Sequence, residues 1–352
     1  METSADSAFF DAVAFESGLL TAMPQLAEPI VLDLLHRHYG LKGSLIRIPT
    51  EKDETFRFQD DDDTYLIKVS SADENPDIVQ FQTACMAHLE KVAPQLPVQR
   101  IVPDCNGGLQ VLLETTDGSF DRVLRVMRFM PGDLLANHAA TVGQLHLLGS
   151  RLADLGFALQ DFDHPRADRL LLWDLKHFHR MRPLLEYVED EPKRALAERI
   201  FNQFDTRVVP FLDSFATQVI HGDFSPFNVL VDPLHPGYVT GIIDFGDAVR
   251  TPVIFDVSVT MANLLGTDAD SPWDQALHLL NGFLRVRPLS TRELDALLVA
   301  AQARLLLRAL ITQWRANQLP QRREYLLSHS KSDWDRLFST AAAPAPTLST
   351  KP

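Results

Sequence analysis

Apolar residues recur along this chain with two different periods, and the change between them divides it. Ile30, Val31, Leu34 and Leu35 stand at helical spacing ahead of Gly40, a residue suited to ending a helix, so a helix is predicted over 30–39. From Leu45 the period shortens. SLIRIPTEKDETFRF, the acidic run Asp60–Asp63 and TYLIKVS read as strand, loop, strand, hairpin tip and strand. Pro76 to Val92 returns to a helix. Val98–Val102, Leu109–Leu113 and Arg122–Met130 are further strand candidates, around turns at Asn106-Gly107-Gly108 and Asp117-Gly118. After Met130-Pro131-Gly132 the chain is mainly helical. Val142, Leu145, Leu148, Leu152 and Leu155 form one stripe, residues 183–217 give one or two amphipathic helices, and 294–314 is apolar nearly all round. Residues 1–25 lack firm periodicity and read as a loosely held extension. The final AAAPAPTLSTKP reads as a disordered tail.

One stretch interrupts the helical part. In VIHGDFSPFNVLVDPLHPGYVTGIIDFGDAVRTPVIFD, residues 219–256, two short apolar strands are joined by a turn rich in Pro and Gly. His221-Gly222-Asp223 precedes the first strand, Asn228 follows Asp223 by five residues, and Asp244-Phe245-Gly246 follows the second strand. A hairpin brings its two ends together, so Asp223, Asn228 and Asp244 are expected to converge. Their order and spacing are those of kinase-fold phosphotransferases. Phosphoryl transfer needs a group that orients a hydroxyl and takes its proton, and Asp223 suits that. It also needs hard oxygen ligands for magnesium, and Asn228 and Asp244 supply an amide oxygen and a carboxylate. Either tripeptide alone is a chance turn; together, in order and each beside a strand, they are not.

Lys68 stands among Leu66, Ile67 and Val69 in a strand, where a lysine costs desolvation unless paired, so it is either an edge residue pointing to water or, as the downstream motifs favour, a phosphate ligand. On the helix that follows, the position expected to hold it is Gln82, an amide where a carboxylate is expected, with Glu90, displaced from that face, as the substitute. Asp256 suits either a helix N-cap or a brace for the loop at 221–223. Arg304 and Arg308, one turn apart in an apolar helix, need partners: acidic side chains or a substrate carboxylate.

The composition narrows the partners. A hydrophobic content of 45% with 23% charged residues is that of a soluble globular protein, and 352 residues are enough for two lobes. Forty-seven acidic against 33 basic residues, a net charge of −14, argue against nucleic acid or an anionic membrane and mildly favour a cationic substrate. The longest apolar region, 294–311, is interrupted by Gln302, Arg304 and Arg308 and is too broken to span a bilayer. Cys85 and Cys105 form no CxxC motif, and the first thirty residues carry no basic segment followed by an apolar core, so the cytoplasm is the expected compartment.

The chain resembles the aminoglycoside phosphotransferase superfamily through HGDFSPFNVLV at 221–231 and IIDFGDA at 242–248. Within it, the chain resembles the hydroxylysine kinases and the phosphotransferase domains fused to class III aminotransferases. That narrower likeness rests on IPTEKDETFRF, NPDIVQFQ, RFMPGDLL, FDHP, WDL and EYLLSHSKSDW, which occur in order through the chain. The resemblance implies an α+β, two-lobed, protein-kinase-like fold with a small antiparallel-sheet N-lobe and a larger, mainly helical C-lobe. The expected division is an extension at 1–27, an N-lobe at 28–130, a C-lobe at 131–340 and a tail at 341–352. It implies Asp223 as base, Asn228 and Asp244 as magnesium ligands, and Lys68 on the α- and β-phosphates. Residues Thr50 to Phe56 become the phosphate-covering loop, and Arg128 to Met130 the hinge beside the base. Gln82 departs from the superfamily's usual Glu. The implied reaction moves the γ-phosphoryl group of GTP or ATP to an amine-bearing alcohol, 5-hydroxy-L-lysine first, with Asp247 taken as the carboxylate for its ammonium. The competing expectations are another alcohol (an aminoglycoside, homoserine, choline or ethanolamine) and a kinase-like module that binds nucleotide without transfer.

Overall fold

The strand period of residues 44–128 is realised as one antiparallel sheet. The computed structural model describes residues 2–19, 25–50, 52–113, 121–328, 330 and 332–348, and the Asp117-Gly118 turn, His329, Lys331 and residues 349–352 of the tail lie outside them. Helices α1 (Glu2–Ser17) and α2 (Glu28–Tyr39) precede strands β1 (Ser44–Ile48), β2 (Glu54–Gln59) and β3 (Thr64–Val69). Helix α3 (Pro76–Val92) follows, then β4 (Val111–Leu113) and β5 (Arg122–Arg128), in the sheet order β1-β2-β3-β5-β4. Strand β3 buries Tyr65, Ile67 and Val69 and leaves Thr64, Leu66 and Lys68 on the other face. The buried face packs with Phe56 and Phe58 against Val31, Leu34 and Leu35 of α2. Register sets Lys68 directly opposite Thr55 on one side and Arg125 on the other. The 98–102 segment is not a strand: it makes single bridges, Val98 to Ile242 and Ile101 to Met127, and so laces the sheet to the helical part.

Beyond the short β6 (Asp133–Leu134) the chain turns helical. Helix α4 (Val142–Ala158) opens on a capping box of Thr141 and Gln144, and α5 (Glu191–Arg207) is capped by Asp190. The interrupting stretch forms β7 (Thr217–Ile220), β8 (Val229–Val231), β9 (Val239–Ile242) and β10 (Val249–Pro252). Helices α6 (Val253–Asn263), α7 (Asp274–Leu284), α8 (Thr291–Gln318), α9 (Arg323–Ser328) and α10 (Asp333–Ala342) complete the C-terminal lobe. Among the described residues no helix is long and apolar enough to cross a membrane.

The N-terminal segment departs from its sequence reading. Helix α1 docks on the helical lobe, with Phe10 edge-on to Trp314 at 5.2 Å, Phe9 against the His177 ring at 5.1 Å, and Arg180 over Phe9 at 3.6 Å. Of its described side chains only Phe10, Val13 and Ala14 are buried, and the bare Phe15, 87% exposed, blurs so short a stripe.

Helices α4 and α7 cross at backbone contact. A Cβ on Gly149 would overlap the Leu279 carbonyl oxygen and lie 2.7 Å from Phe283 N, and one on Gly282 would overlap the backbone of His146. Neither neighbour is a side-chain tip that can swing away. Gly149→Ala is therefore expected to cost at least about 1–3 kcal/mol by forcing the helices apart. A lower urea midpoint at unchanged slope checks this.

Candidate active site

The two loops singled out by sequence begin and end on paired strands. Strand β7 pairs antiparallel with β10, Ile220 opposite Val249, and β8 pairs with β9, Val229 opposite Ile242. The loop at 221–228 and the loop at 243–248 are thereby fixed at both ends and side by side. Asp256, buried in the first turn of α6, accepts hydrogen bonds from the backbone N–H of Gly222 at 3.0 Å and of His221 at 3.3 Å. Of its two expected roles it fills the brace; the N-cap residue of α6 is Pro252. His221 Nδ1 accepts from Asp223 N at 3.3 Å, so Nε2 carries the proton it donates to the Ile243 carbonyl at 3.1 Å. One imidazole thus ties the two loops together. Gly222 has φ +80°, and a Cβ there would overlap the Asp247 carbonyl, so this approach needs glycine. Asp244 also has positive φ, +64°, in a turn closed by its own Oδ1 accepting from Gly246 N at 3.0 Å.

The carboxylates have different surroundings. Asp223 Oδ2 accepts from Asn228 Nδ2 at 2.7 Å and from Ser225 Oγ at 3.3 Å, and its Oδ1 lies 3.5 Å from Arg304 Nη2. Asn228 Nδ2 also donates to the Asp223 carbonyl at 3.0 Å, which fixes the amide's orientation and leaves Oδ1 as its acceptor. Asp244 Oδ2 accepts from Lys68 Nζ at 3.0 Å, and this ammonium holds the Asp244 carboxyl down at about 2. Asp247 shifts upward, because burial and the nearby Asp223 charge outweigh the pull of Arg304 and Arg169. Burial also raises Asp256, despite its two backbone donors. Asp223, Asn228, Asp244 and Lys68, read from sequence as one site, are brought together. Asn228 Oδ1 and the Asp244 carboxylate offer two hard oxygens, a donor set that fits magnesium accompanied by phosphate oxygens.

The N-lobe side is arranged differently from the expectation for Gln82. Its Oε1 accepts from Arg125 Nη1 at 3.0 Å instead of from Lys68. Lys68 finds its carboxylates in Asp244 and, at 4.0 Å, in Asp53, which also lies 3.5 Å from Arg125 Nη2. Two cations directly opposite each other on adjacent strands repel, and Asp53 between them offsets this. Gln82 faces the arginine because a neutral carbonyl suffices where the charge comes from elsewhere. Thr50 Oγ1 donates to the Asp53 carbonyl and so closes the loop that carries it. The Arg128 side chain turns to the β2–β3 hairpin, pairing with Asp63 at 2.5 Å above the Tyr65 ring, so only its backbone remains at the expected hinge. Its N–H is held by the Arg100 carbonyl at 2.9 Å, and Met130 follows half-buried. Sequence reading missed Asp53, Arg125 and Arg169, the last of which donates to the Gly246 carbonyl. Arg125 had a signal: a charged residue within the apolar run of β5.

The sequence pattern described as the phosphotransferase enzyme family (APH) matches residues 45–297. A hydroxylysine kinase of Mus musculus is 25% identical over 339 residues, covering 90% of each chain. One of Danio rerio is 27% identical over 320 residues, covering 88% of this chain and 89% of its own. Among solved structures, a microcompartment-associated aminopropanol kinase superposes with a TM-score of 0.70 at 18% identity, over 90% of this chain and 99% of its own, which establishes the two-lobed kinase-like fold.

Proposed function

Because the chain belongs to the phosphotransferase enzyme family, with an alcohol as acceptor, we propose that it transfers the γ-phosphoryl group of a nucleoside triphosphate to the hydroxyl of an amino alcohol, 5-hydroxy-L-lysine first. The observation that carries the reading is that Asp223, held by Asn228, and Asp244, paired with Lys68, stand on two adjoining loops. Asp223 orients the acceptor hydroxyl and takes its proton as the new oxygen–phosphorus bond forms. The bond from the γ-phosphorus to its bridging oxygen breaks, and the nucleoside diphosphate leaves. Asn228 Oδ1 and Asp244 would hold magnesium, which neutralises phosphate charge when bound. Lys68 meets the α- and β-phosphates, the loop carrying Thr50 and Asp53 covers them, and the backbone from Arg128 to Met130 meets the base. Gln82 acts at one remove, through Arg125. Positioning and fixed charges supply most of the acceleration in such transfers.

Asp247 is our choice for the substrate ammonium, being an ionisable carboxyl beside Asp223. The lobes divide, in this reading, between residues 28–130 and 131–340. Two free cysteines, Cys85 buried and Cys105 exposed, support a reducing, cytoplasmic setting.

The test is release of nucleoside diphosphate with magnesium and either ATP or GTP, across 5-hydroxylysine, homoserine, ethanolamine, choline and kanamycin. Stimulation by 5-hydroxylysine above the others, with one preferred donor, is the expected result. Stimulation by another member keeps the transfer and replaces the acceptor. Bound nucleotide with no stimulated release across a wide alcohol panel overturns the catalytic reading.

A further inference from the structure

Helix α8 carries two arginines one turn apart, and the protein satisfies only one of them. Arg308 forms a forked pair with Asp333, at 2.8 and 2.7 Å, and its Nη1 donates to Asn263 Oδ1 at 2.7 Å. Arg304 is buried, 8% exposed, yet its contacts are poorer. Nη2 reaches Asp223 Oδ1 only at 3.5 Å, the guanidinium lies over the Trp173 ring at 4.9 Å, and Nη1 is buried with no hydrogen-bond partner among the described residues. Arg169 adds a second donor, Nε, that is likewise buried and unpartnered. A desolvated guanidinium with an unfilled donor is costly unless something in the working enzyme fills it. If Arg304 served only as counter-charge to Asp223, its planar fork would lie along that carboxylate, as the fork of Arg308 lies along Asp333. It makes one long contact instead, and its other nitrogen stays unfilled.

Resting on the phosphotransfer reading above, we propose that Arg304 binds a carboxylate carried by the acceptor, so that the substrate class is hydroxy amino acids and not simple amino alcohols. The carboxylate takes the unfilled donor, Asp247 takes an ammonium, and the hydroxyl lies between them at Asp223. A guanidinium suits this task because its paired N–H groups match a carboxylate's two oxygens.

Calorimetry with magnesium and a non-hydrolysable nucleotide compares 5-hydroxylysine with its decarboxylated diamine on wild type, Arg304→Gln and Arg304→Lys. Wild type is expected to bind the amino acid on the order of a hundredfold more tightly than the diamine. Arg304→Gln brings that ratio toward one, and Arg304→Lys restores part of it. A wild-type ratio near one, or a ratio that Arg304→Gln leaves unchanged, overturns the assignment. If Arg304→Gln fails to fold, the wild-type ratio alone still decides. Turnover of the same pair separates the two readings. Equal turnover of amino acid and diamine removes the carboxylate site and leaves phosphotransfer standing. Preferential binding without turnover of either supports the site and removes the kinase.

Discussion

Asp223→Asn is expected to lower kcat by about 10²–10⁴-fold while leaving nucleotide affinity close to wild type. The substitution keeps the shape of the side chain and an oxygen for Asn228 and Ser225, whose donors lie at 2.7 and 3.3 Å. It removes the one property that matters at the moment of transfer, the ability to accept the hydroxyl proton. Nucleotide affinity depends on the other half of the cleft, around Lys68 and Asp244, which Asp223 does not touch among the described hydrogen bonds. Single-turnover rates against nucleotide titration separate the two quantities. A full rate in the variant would take the proton from Asp223 and require another base.

Asp244→Ala is expected to abolish the magnesium-dependent part of nucleotide binding and to lower kcat/KM by on the order of a thousandfold. The carboxylate faces the ammonium of Lys68 at 3.0 Å and is held ionised by it far below neutral pH, so at working pH it is a fixed anion. Its loss leaves Lys68 with Asp53 at 4.0 Å as its partner. The backbone adds a second effect. Residue 244 sits at φ +64°, a region that asparagine tolerates and alanine occupies at a cost of about 1–2 kcal/mol. Asp244→Asn therefore serves as control: it relieves the backbone and keeps one oxygen, so it should fold like wild type and still lose most activity. Thermal shifts with nucleotide, with and without magnesium, read both variants. A magnesium-dependent shift that survives in Asp244→Ala would remove the residue from its role.

What the sequence revealed follows from the range of the interactions involved. Helix α3 runs over Pro76–Val92 as its period and its flanking residues predict, and Gly40 ends α2 at φ +68°. These are local matters. That the loops of Asp223 and Asp244 lie side by side was legible for a related reason: they stand at the two ends of a short hairpin, and a hairpin leaves its ends little freedom. Gln82 was misread because its partner depends on strand register. Whether Lys68 or Arg125 meets α3 is settled by how β3 aligns with β5, and nothing within either strand fixes that alignment. Asp53 was missed for the same reason, since its cations come from two strands. The docking of α1 lay beyond reach because three buried side chains, Phe10, Val13 and Ala14, among its described residues make almost no pattern.

The bracing of the loops by Asp256 bears on how such a protein can change over time. Asp256 grips His221 and Gly222, and His221 in turn grips Ile243, so a residue buried in the core of the helical lobe sets the shape of both loops. Asp223 is different, since its carboxylate meets Asn228, Ser225 and Arg304 but none of the groups that tie the two loops together. A lineage can therefore lose Asp223, shed its chemistry in one step and keep a sound scaffold for nucleotide or partner binding. Losing Asp256 allows no such graded descent, because scaffold and chemistry fail together. Inactive descendants of this architecture should accordingly be marked by changes at the first position and not at the second.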